Sequence, residues 1–452
     1  MYLGKKPTDG GFVLELILVL VFIVLGLWVP YMNLMVLGLS AWIILFDRGL
    51  DHSFDLVFFL LPFTTVFKLS LDGFALFNFV VFAILFRLLM ENDWTFSFLG
   101  FSPVLAILYV FAGIKDAVLS DCIRFACQIF IGSIIMSNPQ FRNSFSVKRK
   151  NTMMSLGIIA SSVLALMRGF FPRLARMYEG QTRIKLGQGT YYYRFSGIEG
   201  NPNMYTVLLS IAIAVYLVYL IEGRIKKSDI LCVATLLIFG AMTVSMSFIL
   251  SVILIFALAF PMLSKRNPKM MLGTLVLGSI SMVLAFVLFG DSDAFQTILF
   301  RFQSSTSSSA DLSSVTTGRS DIWNLYFQFF FQHPIKTLFG YGLNAKLPFK
   351  PAHNLYIETI YYLGIFGSIL YVAAHVAIYA PSKYTHRRGA LYQYLPFMML
   401  LIRGMARCLL CNEKMMCIYL ICSLTAIDTT DPEQDWKNCG AQFPMNRQLT
   451  SR

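Results

Sequence analysis

The chain consists largely of apolar runs whose lengths approach the roughly 20 residues that a helix needs to cross a bilayer. Hydrophobic residues make up 57% of the sequence and charged residues 13%, a balance far more apolar than a soluble domain of this length requires. Because helices satisfy their own backbone hydrogen bonds inside hydrocarbon, these runs predict transmembrane helices. The runs are 12–29, 31–46, 54–67, 73–90, 101–114, 117–136, 153–171, 204–221, 229–243, 245–262, 270–289, 355–379, 390–402 and 415–427.

The runs predict an all-α fold, a polytopic integral-membrane helical bundle of about 12–14 transmembrane helices. Residues 1–427 are expected to form a single transmembrane helical domain, and residues 428–452 a polar C-terminal tail. Three runs are short for a span and fit helices that are tilted, re-entrant or extended by their flanks. These are 54–67, 101–114 and 415–427.

Basic residues cluster in five short connections that fall on one side of the membrane when the helices alternate. The positive-inside bias assigns that side to the cytoplasm, so the N-terminus is expected there. The same bias accounts for much of the net charge of +13 without a nucleic-acid partner. The residues are Lys5 and Lys6; Arg142, Lys148, Arg149 and Lys150; Arg224, Lys226 and Lys227; Lys265, Arg266 and Lys269; Lys383, Arg387 and Arg388.

Two long loops, 172–203 and 290–353, are then expected on the extracytoplasmic side, and both carry basic residues against the bias. Binding of a phosphate or a polyanion would explain these cations, because guanidinium groups pair well with phosphate. Long loops also cross membranes regardless of their charge, so an origin of these basic residues without anion binding stays open. The residues are Arg173, Arg176, Arg183, Lys185 and Arg194 in the first loop, and Arg301, Arg319, Lys336, Lys346 and Lys350 in the second.

The second loop contains a predicted helix near 320–332, within "TGRSDIWNLYFQFFFQHP". Ser320 or Asp321 is expected to cap its start, and His333-Pro334 is expected to end it. Its aromatic residues recur at helical spacing, a pattern that favours an interfacial helix lying among the lipid headgroups.

Three residues stand out as candidates for chemistry. Arg194 precedes "GNPN", where a helix start offers free N–H groups to an anion, and Arg319 precedes the next predicted helix in the same way. His353, in "KPAHNLYIET", is placed to accept a proton from a hydroxyl group. The alternative is structural, since a histidine at a helix start is often a cap or an interfacial residue. Asn201 and Asn203 are expected to be caps.

Charged and thiol groups inside the apolar runs have structural explanations. Asp121 and Arg124 are three residues apart, which predicts an ion pair on one helix. The 8 cysteines form no recognisable disulfide framework. Cys408 and Cys411 form a C-x-x-C without a second pair, so no metal site is expected there.

Several motifs occur in a recognisable order. "R-x-x-G…NPN" precedes a span, "MTVSMSF" lies at 242–248, and "GR…W…F…HP…FGYG" precedes "HNLYIETIYYLGIFG". Over about residues 190–370 this order resembles the O-antigen ligase/polymerase superfamily of bacterial surface-polysaccharide enzymes. The N-terminal third is similar only in being a helical bundle.

The resemblance implies a metal-independent membrane glycosyltransferase without a cofactor, located in the cytoplasmic (inner) membrane with its active site on the extracytoplasmic face. The donor would be an undecaprenyl-diphosphate-linked glycan. Arg194 and Arg319 would neutralise the leaving diphosphate, and His353 would activate the acceptor. Membrane lipid, a chain-length regulator and a flippase are further expected partners. Candidate residues for binding the diphosphate or glycan are Arg173, Arg176, Asn354, Tyr341 and Glu199.

One departure from the pattern concerns Met246, which stands where relatives often carry an arginine after a serine. Arg168, Arg173 and Arg176 are candidates to replace that guanidinium.

The motifs favour a polymerase of lipid-linked repeat units, in O-antigen, capsule or exopolysaccharide. The alternatives are a ligase that transfers the glycan to lipid A-core or another acceptor, a transporter or flippase, and a membrane scaffold without enzymatic activity. A transporter would be expected to show an internal repeat, and a scaffold would leave the outer basic residues unexplained.

Overall fold

The structure is a computed structural model of the 452-residue chain. It describes residues 9–29, 31–47, 49–67, 77–91, 100–113, 116–179, 183–185, 191–273, 296, 319–380, 391–410 and 412–427. The predicted span 270–289 beyond residue 273, most of 290–318 and the predicted tail 428–452 lie outside these ranges.

The described part of the chain is a bundle of α-helices that follows the predicted apolar runs closely. The helices are α1 Asp9–Trp28, α2 Met32–Trp42, α3 Leu50–Leu60, α4 Phe77–Glu91, α5 Phe101–Ala112, α6 Leu119–Ser137, α7 Pro139–Ser144, α8 Val147–Leu166, α9 Pro172–Glu179, α10 Pro202–Ile221, α11 Lys227–Met242, α12 Met246–Arg266, α13 Arg319–Gln332, α14 Pro334–Phe339, α15 Leu355–Tyr379, α16 Leu395–Gly404 and α17 Met415–Ile427. A π-helical turn, Ile43–Asp47, extends α2.

Within the described ranges, 5 helices are both long enough and apolar enough to span a bilayer. They are α1 from Gly11, α6, α10, α12 and α15. Shorter apolar helices at Met32–Phe46, Phe101–Ala112 and Met415–Ile427 match predicted runs. The prediction of an all-α, multi-pass membrane bundle is therefore confirmed.

The helices alternate in direction, so the bundle has two distinct ends. We call the end at which α1 begins the near end. There Phe12 packs edge-on against His52 at the start of α3, with ring centroids 5.2 Å apart. Lys148 Nζ, at the start of α8, donates to the Arg224 carbonyl between α10 and α11 at 2.9 Å. The basic connections around Lys148 and Arg224 therefore meet at one end, as the alternation predicted.

The opposite, far end gathers the segments that the sequence places in outer loops. Thr65 Oγ1, just after α3, donates to the Glu199 carbonyl, which precedes α10, at 2.9 Å. The Val118 N–H at the start of α6 donates to the Leu343 carbonyl at 2.9 Å. Loop 172–203 and the described part of loop 290–353 therefore share the far end of the bundle.

Helix α10 is the central helix, and its apolar stretch is buried inside the protein along its whole length. Asn201 caps it, because its side chain accepts hydrogen bonds from the backbone N–H groups of Asn203 and Met204. Pro202 occupies the first helical position, where its missing N–H costs nothing. The start of α10 is therefore a fixed point at the far end.

The first long loop is more structured than predicted. After α9, the antiparallel strands β1, Arg183–Lys185, and β2, Tyr191–Tyr193, form a short ribbon in which Ile184 pairs with Tyr192. The chain then makes a single 3-10 turn, Gly197–Glu199, before α10. These strands are local and do not alter the helical class of the fold.

The "FGYGL" segment packs against a break in α15. Gly364 interrupts that helix with φ 70° and ψ 176°, and Gly340 approaches it with φ 81°. The Tyr109 hydroxyl lies 2.7 Å from the Phe339 carbonyl oxygen and 2.8 Å from the Leu363 carbonyl oxygen, and its single proton can be donated to either. Carbonyl groups released by the break are thus satisfied by protein, as a bilayer requires.

We expect Gly364→Ala to destabilise the far end, because an added Cβ would clash with the Leu338 carbonyl oxygen and alanine disfavours φ +70°. A strained position of this kind costs about 1–3 kcal/mol. Thermal unfolding of the purified protein in detergent measures the effect. Gly38→Ala is the matched control, because nothing lies within 4 Å of its added Cβ. Equal unfolding temperatures for the two variants would contradict this account of the break.

Candidate active site

The predicted catalytic residues lie at the far end, where α10, α12 and α15 begin. Arg194 precedes α10, Arg319 begins α13, and His353 precedes α15. A fourth segment, the turn between α16 and α17, contacts all of them directly or through their neighbours. Turns carry these side chains, and the helices behind them form the rigid scaffold.

Arg194 joins two of the turns. Its Nε donates to the Thr243 carbonyl at 2.9 Å, and its Nη2 donates to Asn203 Oδ1 at 3.2 Å. Ser245 Oγ donates to the same oxygen at 3.3 Å. Asn203, expected as a cap, instead links Arg194 to the start of α12, while Asn201 provides the cap.

Arg403 is completely buried, with 0% of the residue exposed. Its Nη2 donates to Thr206 Oγ1 at 2.6 Å and to the Asn203 carbonyl at 3.1 Å, and its Nη1 donates to Ser247 Oγ at 3.1 Å. It also lies in the electrostatic field of Arg319 and Arg194. Arg403 therefore ties the end of α16 to the starts of α10 and α12.

Arg403, which is not among the candidates predicted to replace the guanidinium expected near Met246, donates to Ser247 directly beside that position. Of those candidates, Arg173 donates to the Gly26 carbonyl of α1 at 3.2 Å, and the side chain of Arg176 lies outside the described part. Arg403 is distant in sequence from Ser247 but reaches it, because α16 runs antiparallel to α10 and α12 beside it.

Arg319 is the first residue of α13, so this helix begins before the cap predicted at Ser320 or Asp321 and, as predicted, ends before His333. Arg319 Nη1 donates to the Ala406 carbonyl at 3.4 Å. Burial and then the charge of Arg407 lower the pKa of Arg319. Like charges held this close favour an anion between them.

His353 has a constrained backbone with φ 51°, which is rare for a residue other than glycine. Its N–H donates to Glu358 Oε1 at 2.7 Å. Its ring Nδ1 lies 3.5 Å from Arg407 Nη1. Burial, then the charges of Arg407 and Arg319, lower the pKa of His353 to about 4, so the ring is neutral at pH 7.

Asn354 and Glu199, two predicted binding residues, have clear structural contacts. Asn354 caps α15 by accepting from the N–H groups of Tyr356 at 3.0 Å and Ile357 at 3.3 Å. Glu199 forms a buried ion pair with Lys414. Burial raises the pKa of Glu199, and Lys414 opposes that shift. This pair anchors the turn before α17 to the turn before α10.

Two predicted binding residues, Tyr341 and Arg173, make contacts at other places in the fold. Tyr341 stacks on Tyr361, with ring centroids 4.7 Å apart and planes 8° apart. Its N–H donates to the Tyr361 carbonyl at 3.0 Å. Arg173 lies on α9 against α1, as described above. Tyr341 therefore supports the loop that covers α15.

Arg403, Arg407 and Lys414 are absent from the predicted site residues, although all lie in "RGMARCLLCNEK" at 403–414. A signal for them exists in the sequence. Alternating helices place this short connection on the extracytoplasmic side, where three cations again break the positive-inside bias.

We define the cation cluster as Arg194, Arg319, Arg403, Arg407 and Lys414. Among the described residues, no carboxylate lies within salt-bridge distance of Arg319, Arg403 or Arg407, and Glu199 pairs with Lys414. The buried Nε atoms of Arg403 and Arg407 have no hydrogen-bond partner in the described structure. Cations outnumber carboxylates here, so the arrangement suits an anion with several oxygens.

Comparison with known proteins identifies one domain. Residues 230–372 match the family model described as O-Antigen ligase. This range includes Arg319 and His353 but begins after Arg194 and ends before Arg403. No curated protein and no solved structure matched the chain. The match over residues 230–372 confirms the resemblance to the O-antigen ligase/polymerase superfamily that the motifs predicted, a family of membrane glycosyltransferase-like enzymes.

Proposed function

We propose that this protein polymerises undecaprenyl-diphosphate-linked oligosaccharide repeat units for O-antigen, capsule or exopolysaccharide. The observation that supports this most strongly is the cation cluster. Arginines from three separate segments meet around Asn203 and Ala406, and His353 contacts one of them. A lipid diphosphate is the ligand class that combines an anionic group of this size with a membrane-dissolved tail.

In the proposed reaction, Arg194 and Arg319 bind the diphosphate of the donor, while the fully buried Arg403 holds the starts of α10 and α12 and adds positive charge behind them. His353 takes the proton from an acceptor hydroxyl as the hydroxyl oxygen bonds to the anomeric carbon. The bond between that carbon and the diphosphate oxygen breaks, and its electron pair leaves with the lipid diphosphate. Fixed guanidinium groups stabilise the charge that grows on this leaving group in the transition state.

The remaining predicted residues fit supporting roles. Glu199 holds Lys414, and Asn354 fixes the helix start that follows His353. We propose that Tyr341 and Arg173 contact the glycan outside the cluster. The side chain of Arg176, a further proposed contact for the glycan or diphosphate, lies outside the described part.

The proposed orientation places the near end, with its basic connections, in the cytoplasm and the far end outside the cytoplasmic membrane. Residues 1–427 would act as a single transmembrane domain. Helix α13 would lie in the interface, because Phe331 is 86% exposed on it while Arg319 reaches the cluster. The tail of the donor could then stay in the outer leaflet, and a flippase and a chain-length regulator are proposed partners.

Transfer to lipid A-core or another acceptor is the second candidate, favoured by the description of the matching family model as O-Antigen ligase. The donor chemistry is the same for both activities, so the cation cluster serves either. The order "GR…W…HN-x-Y-x-E" favours the polymerase.

We expect Arg194→Ala, Arg319→Ala, Arg403→Ala and His353→Ala each to lower glycosyl transfer by about 10²-fold or more, since each removes a group that acts on the transition state. Gel analysis of surface glycans measures this in cells. A polymerase predicts retained single repeat units without long chains. A ligase predicts long chains that remain on the lipid carrier and are missing from the acceptor.

Lys346→Ala is the control for a general loss of far-end charge, because Lys346 is exposed and outside the cluster. Normal glycans in all four cluster variants would contradict the proposed site. Failure of the precursor to reach the outer face, with little sensitivity at these residues, would favour a transporter.

We also expect that the guanidinium of Arg403 can be moved to position 246. Arg403→Met should lower transfer by about 10²-fold, because it removes a buried positive charge and its hydrogen bonds to Thr206 and Ser247, and thermal unfolding in detergent measures any loss of folded protein. Adding Met246→Arg should restore part of the activity, measured by transfer in membranes. Full activity in Arg403→Met alone would contradict a role for this guanidinium.

A further inference from the structure

We propose that Arg407 controls the proton-accepting nitrogen of His353, and that a diphosphate bound to the cation cluster releases this nitrogen by drawing Arg407 away. The inference rests on the proposed function, because it concerns regulation of the same site. It implies an order of events: the donor binds first, and only then can the site activate a hydroxyl group.

The contact between Arg407 and His353 determines which ring nitrogen is engaged. Arg407 Nη1 lies 3.5 Å from His353 Nδ1. A guanidinium has only donors, so Nδ1 must be the acceptor, and the neutral ring carries its proton on Nε2. The lone pair that could accept a proton is therefore turned toward a cation.

Arg407 is held weakly and would gain a better partner in a diphosphate. The 3.5 Å separation is at the long limit for a hydrogen bond. Among the described residues no carboxylate lies within salt-bridge distance of Arg407, which Glu358 and Glu199 attract only at longer range, and its buried Nε has no hydrogen-bond partner. Phosphate oxygens form charge-assisted, bidentate bonds with guanidinium that are stronger than a contact to neutral imidazole. Exchange of partners is therefore favourable.

His353 is held where it is by separate contacts. Its backbone N–H donates to Glu358 Oε1 at 2.7 Å, and Glu358 is only 4% exposed. Asn354 caps the helix directly after it. The backbone of His353 sits at φ 51°, so these contacts fix a conformation that the residue would not adopt alone. The ring can therefore stay in place while Arg407 moves.

The charged and titratable groups that face His353 come from three elements. Arg319 faces it from α13 and Arg407 from the turn after α16. Glu358 of α15 accepts from its backbone N–H, and Cys408 contacts Glu358. Besides burial, the two guanidinium charges keep the pKa of His353 near 4. A bound diphosphate would neutralise both charges, which moves the pKa of His353 toward the range where a general base works well.

The proton then has a complete path. The released Nδ1 takes the proton of the acceptor hydroxyl as that oxygen bonds to the anomeric carbon. The lipid diphosphate leaves with the electron pair of the broken bond. After the product departs, the imidazolium returns its proton to water, and Arg407 can contact Nδ1 again.

Histidine NMR on the full-length protein tests this proposal, and the chain offers only 5 histidines to assign. The probe is inorganic pyrophosphate added to protein with 15N-labelled histidine, and His353→Gln identifies the signal. Pyrophosphate should raise the pKa of His353 by about one unit or more, a tenfold gain in proton affinity. His333, whose ring contacts the Phe329 carbonyl at 3.0 Å outside the cluster, is the internal control and should not respond.

Arg407→Ala should raise the pKa of His353 without pyrophosphate and remove most of the response to it. If that variant does not fold, Arg407→Lys keeps the charge but loses the bidentate guanidinium. Pyrophosphate should then still raise the pKa of His353, but by less. Calorimetry on the same samples measures binding. Binding without a change at His353 would overturn this inference and leave the proposed function standing. An absence of pyrophosphate binding would overturn both.

The same coupling predicts a kinetic signature. The acid limb of kcat reports the donor-bound enzyme, and that of kcat/KM reports the free enzyme. Because His353 must be neutral to act, activity is lost as pH falls through its pKa. The acid limb of kcat should therefore lie at higher pH than that of kcat/KM for the donor. The two limbs should converge in Arg407→Ala, and coincidence in the unmodified protein would contradict the proposal.

Discussion

The buried guanidinium of Arg403 is the contact on which the arrangement of the far end depends. It ties α16 to the first turn of α10 through Thr206 and to α12 through Ser247. Because α10 is buried along its whole apolar length, its start cannot shift without disturbing the whole bundle. Arg194 and Arg319 are positioned relative to that fixed point, through Asn203 and Ala406 respectively. A buried cation without a nearby carboxylate is costly to hold, and a ligand with negative charge would offset that cost.

The helices and the turns have different tasks in this molecule. Helices bury their backbones and provide rigidity, whereas the residues of the cluster lie in turns or at helix ends. Two of these turns are strained: His353 has φ 51°, and Val244, beside the carbonyl that receives Arg194, has φ 49°. A β-branched residue in the left-handed region is an outlier that persists only when surrounding contacts impose it. Strain on both sides of one cluster is typical of sites in which side-chain placement matters more than local stability.

Much of the architecture follows from simple rules. Hydropathy locates the helices, and the basic connections give their alternation, because the bilayer forbids most other solutions. The convergence of Arg194, Arg319 and His353 could be predicted only through the ordered motifs, since no local pattern reports which turns share an end of a bundle. Arg403 could not be assigned a role in this way. Its partners lie about 200 residues earlier in the chain, and only the bias of basic residues marked its connection. The contact between Arg407 and His353 likewise depends on side-chain geometry that periodicity does not encode.

The central claim is that the cation cluster binds the diphosphate of a lipid-linked glycan. A cryo-electron microscopy structure of the full-length protein with such a donor bound would test this most directly. Phosphate oxygens are expected within hydrogen-bond distance of Arg194 and Arg319, with the first sugar turned toward His353 and the lipid tail in the bilayer. A diphosphate bound at the near end, or at the far end without contact to these arginines, would contradict it.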